Sequence, residues 1–301
     1  MARRRFAEQD VSRLAVWSRR VAFFSLAATL VAIIIVRSGA LEIVPALSTL
    51  AGALVLAVVA ILLALAAGAV IWIEGCGGLR QAISALLIGL ALIAYPAYLG
   101  IKAYRLPAIY DISTDPIDPP QFDAIARLRP RDANPIAYAG LYTAELQHQA
   151  YSDIEPDITD STAQEAYDAA MKVIAKRRWR VVDSRPPQSG APPPGTRPVD
   201  ARLSPSATPR DGIIEAVART PILGFRDDVV VRIRSTPEGA RIDVRSASRY
   251  GRHDLGTNAA RVRSLIEDID DVLATPTPEK KQQAPKPKPT QAAGKAAPAK
   301  R

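Results

Sequence analysis

The segment Arg245–Asn258 carries the densest group of side chains that could bind an anion. Arginine guanidinium groups bind phosphate or carboxylate through paired hydrogen bonds, and the N-terminus of a following helix adds backbone amide donors. The segment therefore predicts an anion-binding or headgroup-binding site. Its candidate binding residues are Arg245, Ser246, Ser248, Arg249, Asp254 and Asn258.

A structural interpretation of the same segment competes with this one. Arg249 and Asp254 could form a buried ion pair that fixes the loop, and Asn258 could cap the helix that follows. Buried charges require partners, so an arginine near an aspartate is as typical of a locked loop as of a ligand site. The sequence leaves both interpretations open.

A second group of polar side chains lies near the start of the soluble part of the chain. Asp111, Asp115 and Asp118 recur at intervals of four and three residues, and three carboxylates could hold a hard cation. An extended, proline-rich segment does not bring such a spacing to one point, and Ser113 and Thr114 are typical of turns. We predict no metal site, and the group is either a structural turn or a ligand contact.

The remaining reactive side chains show no catalytic pattern. His148 and His253 are isolated from other metal-ligand residue types. The single cysteine, Cys76, lies in a glycine-rich turn, which favours an inert thiol. Phosphate-loop, nucleophile-elbow and zinc-protease motifs do not occur in the sequence. We predict no cofactor, and a binding protein is favoured over an enzyme.

The formal net charge of +9 is concentrated at the two ends of the chain. Residues 1–20 contain six arginines, and residues 276–301 contain six lysines and one arginine, whereas the intervening residues are close to neutral. Nucleic-acid binding requires a basic patch on a folded surface, so this distribution argues against a nucleic-acid partner. The Lys, Pro and Ala composition of residues 276–301 also predicts a disordered tail.

Three uncharged runs of 16, 31 and 21 residues predict membrane-spanning helices. A helix needs about 20 apolar residues to cross the hydrocarbon core. The first run is short, but the arginines on both sides of it can extend toward the lipid headgroups. Within a membrane region of residues 21–102, the predicted spans cover about residues 21–37, 47–73 and 81–101.

The positions of the arginines predict the orientation in the membrane. The arm of residues 1–20 has six arginines and the first loop has only Arg37, so the arm is expected to stay in the cytoplasm. We predict a multi-pass protein of the bacterial inner membrane with a periplasmic soluble domain and the lipid bilayer as a partner. A competing hypothesis makes the first run a cleaved signal peptide, because Ser38-Gly39-Ala40 resembles a cleavage site. The domain then lies outside as well.

Residues 103–275 are predicted to form one α+β domain, an antiparallel sheet with flanking helices on one face. Thr162 and Glu165 match a capping box that opens one helix. A last helix with an apolar stripe begins near Asn258.

Four predicted strands and a long loop complete the domain. The eight prolines of residues 185–209 predict the loop. The last two strands alternate apolar and polar residues and predict a hairpin. Its polar face is expected to be a solvated charge ladder, or alternatively a surface that docks on anionic lipid. The strands are residues 179–183, 213–220, 228–235 and 240–246, and the polar face carries Arg232, Arg234, Arg241, Asp243 and Arg245.

Three separated motifs resemble the family known as domain of unknown function 1499. The first runs from Ile109 to Phe122, the second is Leu223–Arg232 and the third is Arg245–Asn258. The resemblance covers roughly residues 106–270, and similar members often carry N-terminal membrane helices. It implies no established activity, so it indicates the limits of the domain and not its chemistry.

Two functions are consistent with these patterns. The first is a non-enzymatic envelope protein whose domain binds a lipid headgroup, a cell-wall component or an envelope partner protein. The second is a hydrolase or transferase acting on an anionic lipid or a cell-wall intermediate, which requires its reactive groups to converge in one pocket. Those groups would be Asp111, Asp115, Arg249 and Asp254. The lack of a catalytic motif favours the first function.

Overall fold

Three long helices open the chain in a computed structural model, which describes residues 10–188 and 210–275. They are α1 (Arg13–Ser38), α2 (Ile43–Glu74) and α3 (Leu79–Arg105). All three are long and apolar enough to cross a membrane, as the uncharged runs predict. Each exceeds its predicted span, because helical hydrogen bonding continues into the polar residues on either side of the apolar run.

Small residues pack these helices together. Nearly all of their buried positions are Ala, Ser, Thr or Gly. Apolar side chains gain little by leaving lipid, so close approach of the backbones supplies much of the attraction. A Cβ atom added at Gly89 would lie 2.5 Å from Cγ1 of Ile61. The Oγ of Ser25 donates a hydrogen bond to the carbonyl oxygen of Ala53 at 2.9 Å and ties α1 to α2.

Helix α3 is less buried in its second half than in its first. α1 and α2 bury residues along most of their lengths. The structure describes every residue of α3. Its last buried residue is Gly89, although the helix continues to Arg105. The end of α3 nearest the soluble domain is therefore only loosely packed.

One antiparallel sheet and three further helices form the soluble domain, which confirms the predicted α+β class. The strand order is β1-β6-β5-β4-β3, and β2 also pairs with β6. The strands are β1 (Asp111–Ser113), β2 (Asp157–Thr159), β3 (Arg180–Arg185), β4 (Gly212–Arg219), β5 (Arg226–Thr236) and β6 (Gly239–Ser248). The helices are α4 (Leu141–Ala150), α5 (Ala163–Lys176) and α6 (Thr257–Ala274).

Most elements with a strong local signal lie where the sequence predicts them. The capping box is confirmed: Thr162 Oγ1 accepts a hydrogen bond from the Glu165 amide at 3.3 Å, and Glu165 Oε2 accepts one from the Thr162 amide at 2.9 Å. The sequence missed β1, β2 and α4, because two three-residue strands and a short helix carry little periodicity. The predicted loop falls mostly, and the predicted tail wholly, outside the described residues.

The sheet is covered on both faces. Helices α5 and α6 lie on one face, where Val231 of β5 and Leu265 of α6 belong to the same core. The irregular segment between β1 and α4 lies over the other face and includes a short 3-10 helix, Ile125–Leu128. Phe122 of this segment packs with Val230 of β5. We call residues 114–140 the wrap.

The polar face of the β5–β6 hairpin is largely buried beneath the wrap. Arg232 is 9% exposed, and Asp243 and Arg245 are fully buried. Asp243 accepts hydrogen bonds from Arg232 and Arg241, and Arg232 also pairs with Asp118 of the wrap at 3.0 Å. The sequence predicted that the charged side chains of this face lie in solvent or against the bilayer. That prediction is wrong for these buried residues, because the wrap covers the polar face of the hairpin.

Two carboxyl groups meet where β2 approaches α6. Burial, and next the neighbouring charge of Asp157, raise the pKa of Asp270 from 3.8 to about 6. The folded state therefore binds this proton more tightly than the unfolded chain does. Its contribution to stability is complete below the unfolded pKa and is lost as the pH rises through about 6.

Asp270→Asn is expected to raise the melting temperature of the full chain in detergent above about pH 7, because it removes a carboxylate that is unfavourable when charged. The advantage should disappear below about pH 4, where the Asp270 carboxyl of the folded chain is protonated and carries no charge. The exposed control Asp211→Asn should give no comparable pH-dependent gain. An Asp270→Asn chain that melts below the wild type at neutral pH would contradict this account.

Candidate functional site

Two loops of the soluble domain contact the ends of the membrane-type helices. The β4–β5 loop, residues 220–225, meets Arg37 at the end of α1. Arg37 Nη1 donates hydrogen bonds to the carbonyl oxygens of Pro221 at 2.5 Å and Ile222 at 3.3 Å. The β6–α6 loop, residues 249–256, meets the end of α3. We call the region enclosed by these contacts the junction.

His253 joins the β6–α6 loop to α3. Its Nε2 atom lies 3.1 Å from the carbonyl oxygens of both Ala103 and Leu106, and its Nδ1 accepts a hydrogen bond from the Leu255 amide at 2.9 Å. With Nδ1 as the acceptor, Nε2 is the ring nitrogen that can donate to these carbonyl oxygens. The histidine that looks isolated in the sequence therefore satisfies carbonyl groups at the C-terminal end of a helix.

Asp254 caps the N-terminus of α6. The sequence predicted Asn258 in this role. Asp254 Oδ1 accepts a hydrogen bond from the Gly256 amide at 2.9 Å, and Oδ2 accepts one from the Asn258 amide at 2.8 Å. Burial raises the pKa of this carboxyl, and the two amide bonds oppose the shift. Since the protein's own carboxylate occupies these amides, they are not free for a ligand.

Asn258 belongs to a buried polar network between β6 and α6. Its Oδ1 accepts hydrogen bonds from Ser246 Oγ at 2.8 Å and Arg261 Nη1 at 2.5 Å. Its Nδ2 donates to Ser248 Oγ at 3.0 Å. Arg261 also pairs with Asp227 at 2.5 Å. Ser246, Ser248 and Asn258 therefore hold the last helix on the sheet.

Arg249 pairs with Asp228 and not with Asp254. Its Nη2 atom lies 2.7 Å from Asp228 Oδ1, and Arg129 of the wrap contacts the other carboxylate oxygen at 2.6 Å. The expected Arg249–Asp254 pair is therefore wrong. Asp228 lies on β5, a strand that the loop-based interpretation did not consider.

The guanidinium group of Arg245 is used entirely in contacts within the domain. It forms a two-pronged ion pair with Asp111 at 3.0 and 2.7 Å, and it donates to the carbonyl oxygens of Pro120 and Ile136 in the wrap. Its guanidinium carbon also lies 4.7 Å from the ring centre of Phe122. Burial raises the pKa of Asp111, while Arg245 opposes that shift by favouring the charged carboxylate.

Ser113, Thr114 and Asp115 form a turn after β1. Ser113 Oγ donates to the Asp115 carbonyl oxygen at 3.0 Å, and Thr114 Oγ1 accepts from the Val244 amide at 2.9 Å. Asp115 pairs with Arg241 at 2.5 Å. These contacts support the turn interpretation. Among residues 10–188 and 210–275, no group of three His, Cys, Asp or Glu side chains is placed to hold a metal ion.

The groups required by the enzyme hypothesis have separate partners. Asp111, Asp115 and Arg249 bind arginine or aspartate side chains of strands β5 and β6. Asp254 instead caps α6 at the junction. The structure therefore does not bring these four side chains to one reacting centre.

A largely apolar cavity of about 360 Å³ lies at the junction. It is enclosed by the first turns of α2, the last turns of α3 and the two domain loops. Its apolar lining includes Ile43, Leu47, Tyr98, Leu99, Leu223 and Phe225. Two of the candidate binding residues predicted from the sequence, Ser248 and Asp254, line this cavity.

A second, more polar cavity of about 430 Å³ adjoins the apolar one. It lies between the α1–α2 turn, the wrap and the same two loops, and its lining includes Arg37, Glu42 and Arg249. Arg226 and Phe225 line both cavities. Arg226 therefore stands at the boundary between a polar and an apolar compartment.

Charged side chains of both signs line the junction. Arg37 donates to backbone carbonyls, and neither Arg226 nor Lys102 forms an ion pair with any residue in the described ranges. Glu42 and Asp132 line the polar cavity, and Asp227 and Asp254 line the apolar one. Arg226 could bind an anionic ligand because it forms no ion pair with a described residue, and not because positive charge is in excess.

The sequence did not identify Arg226 or Lys102 as site residues. Arg226 lies at the start of β5 and Lys102 lies near the end of α3. Both have apolar or aromatic neighbours. Their proximity depends on how the domain sits on the helices, which no local pattern encodes. A positive charge next to an exposed apolar loop such as Pro221-Ile222-Leu223 is the signal that could have indicated Arg226.

Three apolar helices joined to one α+β domain define a membrane-associated protein with a single large soluble domain. The chain belongs to the family described as protein of unknown function (DUF1499), whose model matches residues 111–269, more than half of the 301-residue chain. The predicted resemblance over residues 106–270 is thereby confirmed. No curated protein and no solved structure matches the chain.

Arg245→Ala is expected to destabilise the full chain by about 3–5 kcal/mol, because it leaves the Asp111 carboxylate buried without its partner. Thermal or denaturant unfolding in detergent measures the change. Arg252→Ala, an exposed arginine in the same sequence segment, should change stability by no more than about 0.5 kcal/mol. Equal stabilities for the two variants would show that Arg245 is not the structural residue described above.

Proposed function

We propose that this protein is a membrane-anchored binding protein whose junction holds the headgroup of an anionic lipid. The observation that carries the proposal is the polar cavity at the ends of α1 and α2, with Arg226 and Arg37 in its lining and no ion pair formed by Arg226 among the described residues. Guanidinium groups suit phosphate because they offer several donors in one plane.

The position of the cavity supports a lipid rather than a water-soluble anion. α1 ends at Ser38 and α2 begins at Ile43, so the turn between them leaves the apolar core at this level. Lipid phosphates lie just beyond the hydrocarbon, where arginine and lysine side chains are favoured. A headgroup could therefore reach Arg226 while its lipid stays in the bilayer.

The enzymatic alternative has less support. Asp254, the candidate carboxylate at the apolar cavity, accepts two backbone amide hydrogen bonds. Asp111 and Asp115 are held elsewhere by arginine partners, and Arg249, which lines the polar cavity, is paired with Asp228. General acid–base catalysis requires groups within hydrogen-bond reach of one reacting centre, and binding without turnover requires only the cations and the cavity.

The headgroup proposal is tested by titrating the purified full chain in detergent with phosphatidylglycerol and measuring bound lipid by native mass spectrometry. Arg226→Gln should weaken phosphatidylglycerol binding by about tenfold or more, because one charge-assisted hydrogen bond contributes about 1.5–3 kcal/mol. Phosphatidylcholine, and glycerol phosphate without a chain, should bind the wild type more weakly.

The matched control is Arg180→Gln, which removes an exposed arginine of β3 outside both cavities. It should bind phosphatidylglycerol like the wild type. Unchanged binding by Arg226→Gln, or equal binding of phosphatidylcholine and phosphatidylglycerol by the wild type, would overturn the proposal.

The arginine-rich arm supports placing the domain on the outer side of a bacterial inner membrane. A fusion of alkaline phosphatase at Thr275 should be active, and a green fluorescent protein fused there should be dark. Fusions at Gly75, in the turn between α2 and α3, should give the opposite pattern. Fluorescence without phosphatase activity at Thr275 would place the domain in the cytoplasm and contradict this orientation.

A further inference from the structure

We infer that the ligand is a bilayer lipid whose acyl chain enters the apolar cavity sideways, between α2 and α3, while its phosphate stays at Arg226. This inference rests on the proposed headgroup site and adds to it the position of the acyl chain and the route by which the lipid arrives. Three features of the junction support it: the exposure of α3 near the domain, the composition of the cavity and the position of Arg226 in both linings.

The exposure of α3 near the domain supplies the route of entry. Between Leu79 and Gly89, α3 buries small residues against α1 and α2. Beyond Gly89 it has no fully buried residue, whereas α2 still buries Ala46 and Ala53 in the corresponding half. An acyl chain would therefore enter beside this less covered half of α3.

The lining of the cavity suits a hydrocarbon chain. α2 contributes Ile43 and Leu47, and α3 contributes Leu99 with two half-exposed tyrosines, Tyr95 and Tyr98. The far wall is formed by the β4–β5 loop of the soluble domain. A volume of about 360 Å³ falls within the range of about 300–1,000 Å³ typical of small-molecule sites. A chain that moves from the bilayer into this cavity loses little, because both surroundings are apolar.

Arg226 joins the two parts of the site. It lines the polar cavity on one side and the apolar cavity on the other. A phosphate bound there lies next to the chain cavity, which matches the connection between phosphate and acyl chain in a phospholipid. A free phosphate or a sugar fragment of the cell wall would leave the apolar cavity unused.

The test uses the full chain reconstituted in phosphatidylcholine vesicles that contain a small fraction of phosphatidylglycerol with a diazirine at the end of one acyl chain. After illumination, peptide mass spectrometry locates the adducts. Lipid around the helices will label their exposed faces in any case. An adduct on the β4–β5 loop, residues 220–225, is diagnostic, because this loop belongs to the soluble domain and forms the far wall of the cavity.

The wild type is expected to give this loop adduct. Leu99→Trp fills the cavity from α3 and should reduce the loop adduct by about tenfold or more. Leu47→Trp fills it from α2 and provides a second variant if the first does not fold. The control Leu87→Trp, on an exposed part of α3, should leave the loop adduct unchanged.

Labelling restricted to the exposed helix faces, with no adduct on residues 220–225 of the wild type, would overturn the inference. So would a loop adduct that persists in both folded cavity-filling variants. If Arg226-dependent binding of phosphatidylglycerol remains while the loop adduct is missing, headgroup binding stands and chain entry fails. If neither Arg226-dependent binding of phosphatidylglycerol nor the loop adduct is found, the proposed function fails together with this inference.

Discussion

The buried ion pairs beneath the wrap are the interaction on which the rest of the domain depends. Asp111 is paired with Arg245, and Asp228 is paired with both Arg249 and Arg129. Charges removed from water are tolerated only when they are paired and hydrogen-bonded. These pairs therefore fix the wrap on the second face of the sheet, and they fix the β6 end from which the junction loop departs.

This constraint explains why most polar side chains of the segment Arg245–Asn258 are engaged within the domain and not offered to a ligand. Arg245 and Arg249 are used to hold the wrap, and Asp254 and Asn258 are used to hold α6. Charged residues that form no ion pair with another described residue remain available for a ligand, and Arg226 is the clearest example at the junction. In this fold, the candidate site lies where structural pairing is incomplete and not where charges are densest.

The local parts of the fold could be predicted from the sequence, and the long-range parts could not. The three spans, the Thr162 capping box and the β5–β6 hairpin each depend on residues close together in the chain. Asp111, the partner of Arg245, lies 134 residues earlier in the chain. The alternation of apolar and polar residues carries no information about such a partner, so it predicted that this face of the strand lies in solvent. The junction likewise depends on contacts such as that between Arg37 and Pro221, 184 residues apart, and no motif encodes them.

The central claim is that Arg226 holds a lipid phosphate at the junction between the helices and the domain. Electron cryo-microscopy of the full chain in nanodiscs containing phosphatidylglycerol tests it most directly, with a domain-binding antibody fragment to add mass. The account predicts headgroup density within hydrogen-bond distance of the Arg226 guanidinium, continuous with chain density between α2 and α3. An ordered junction with water alone at Arg226, or with a protein side chain occupying that position, would contradict it.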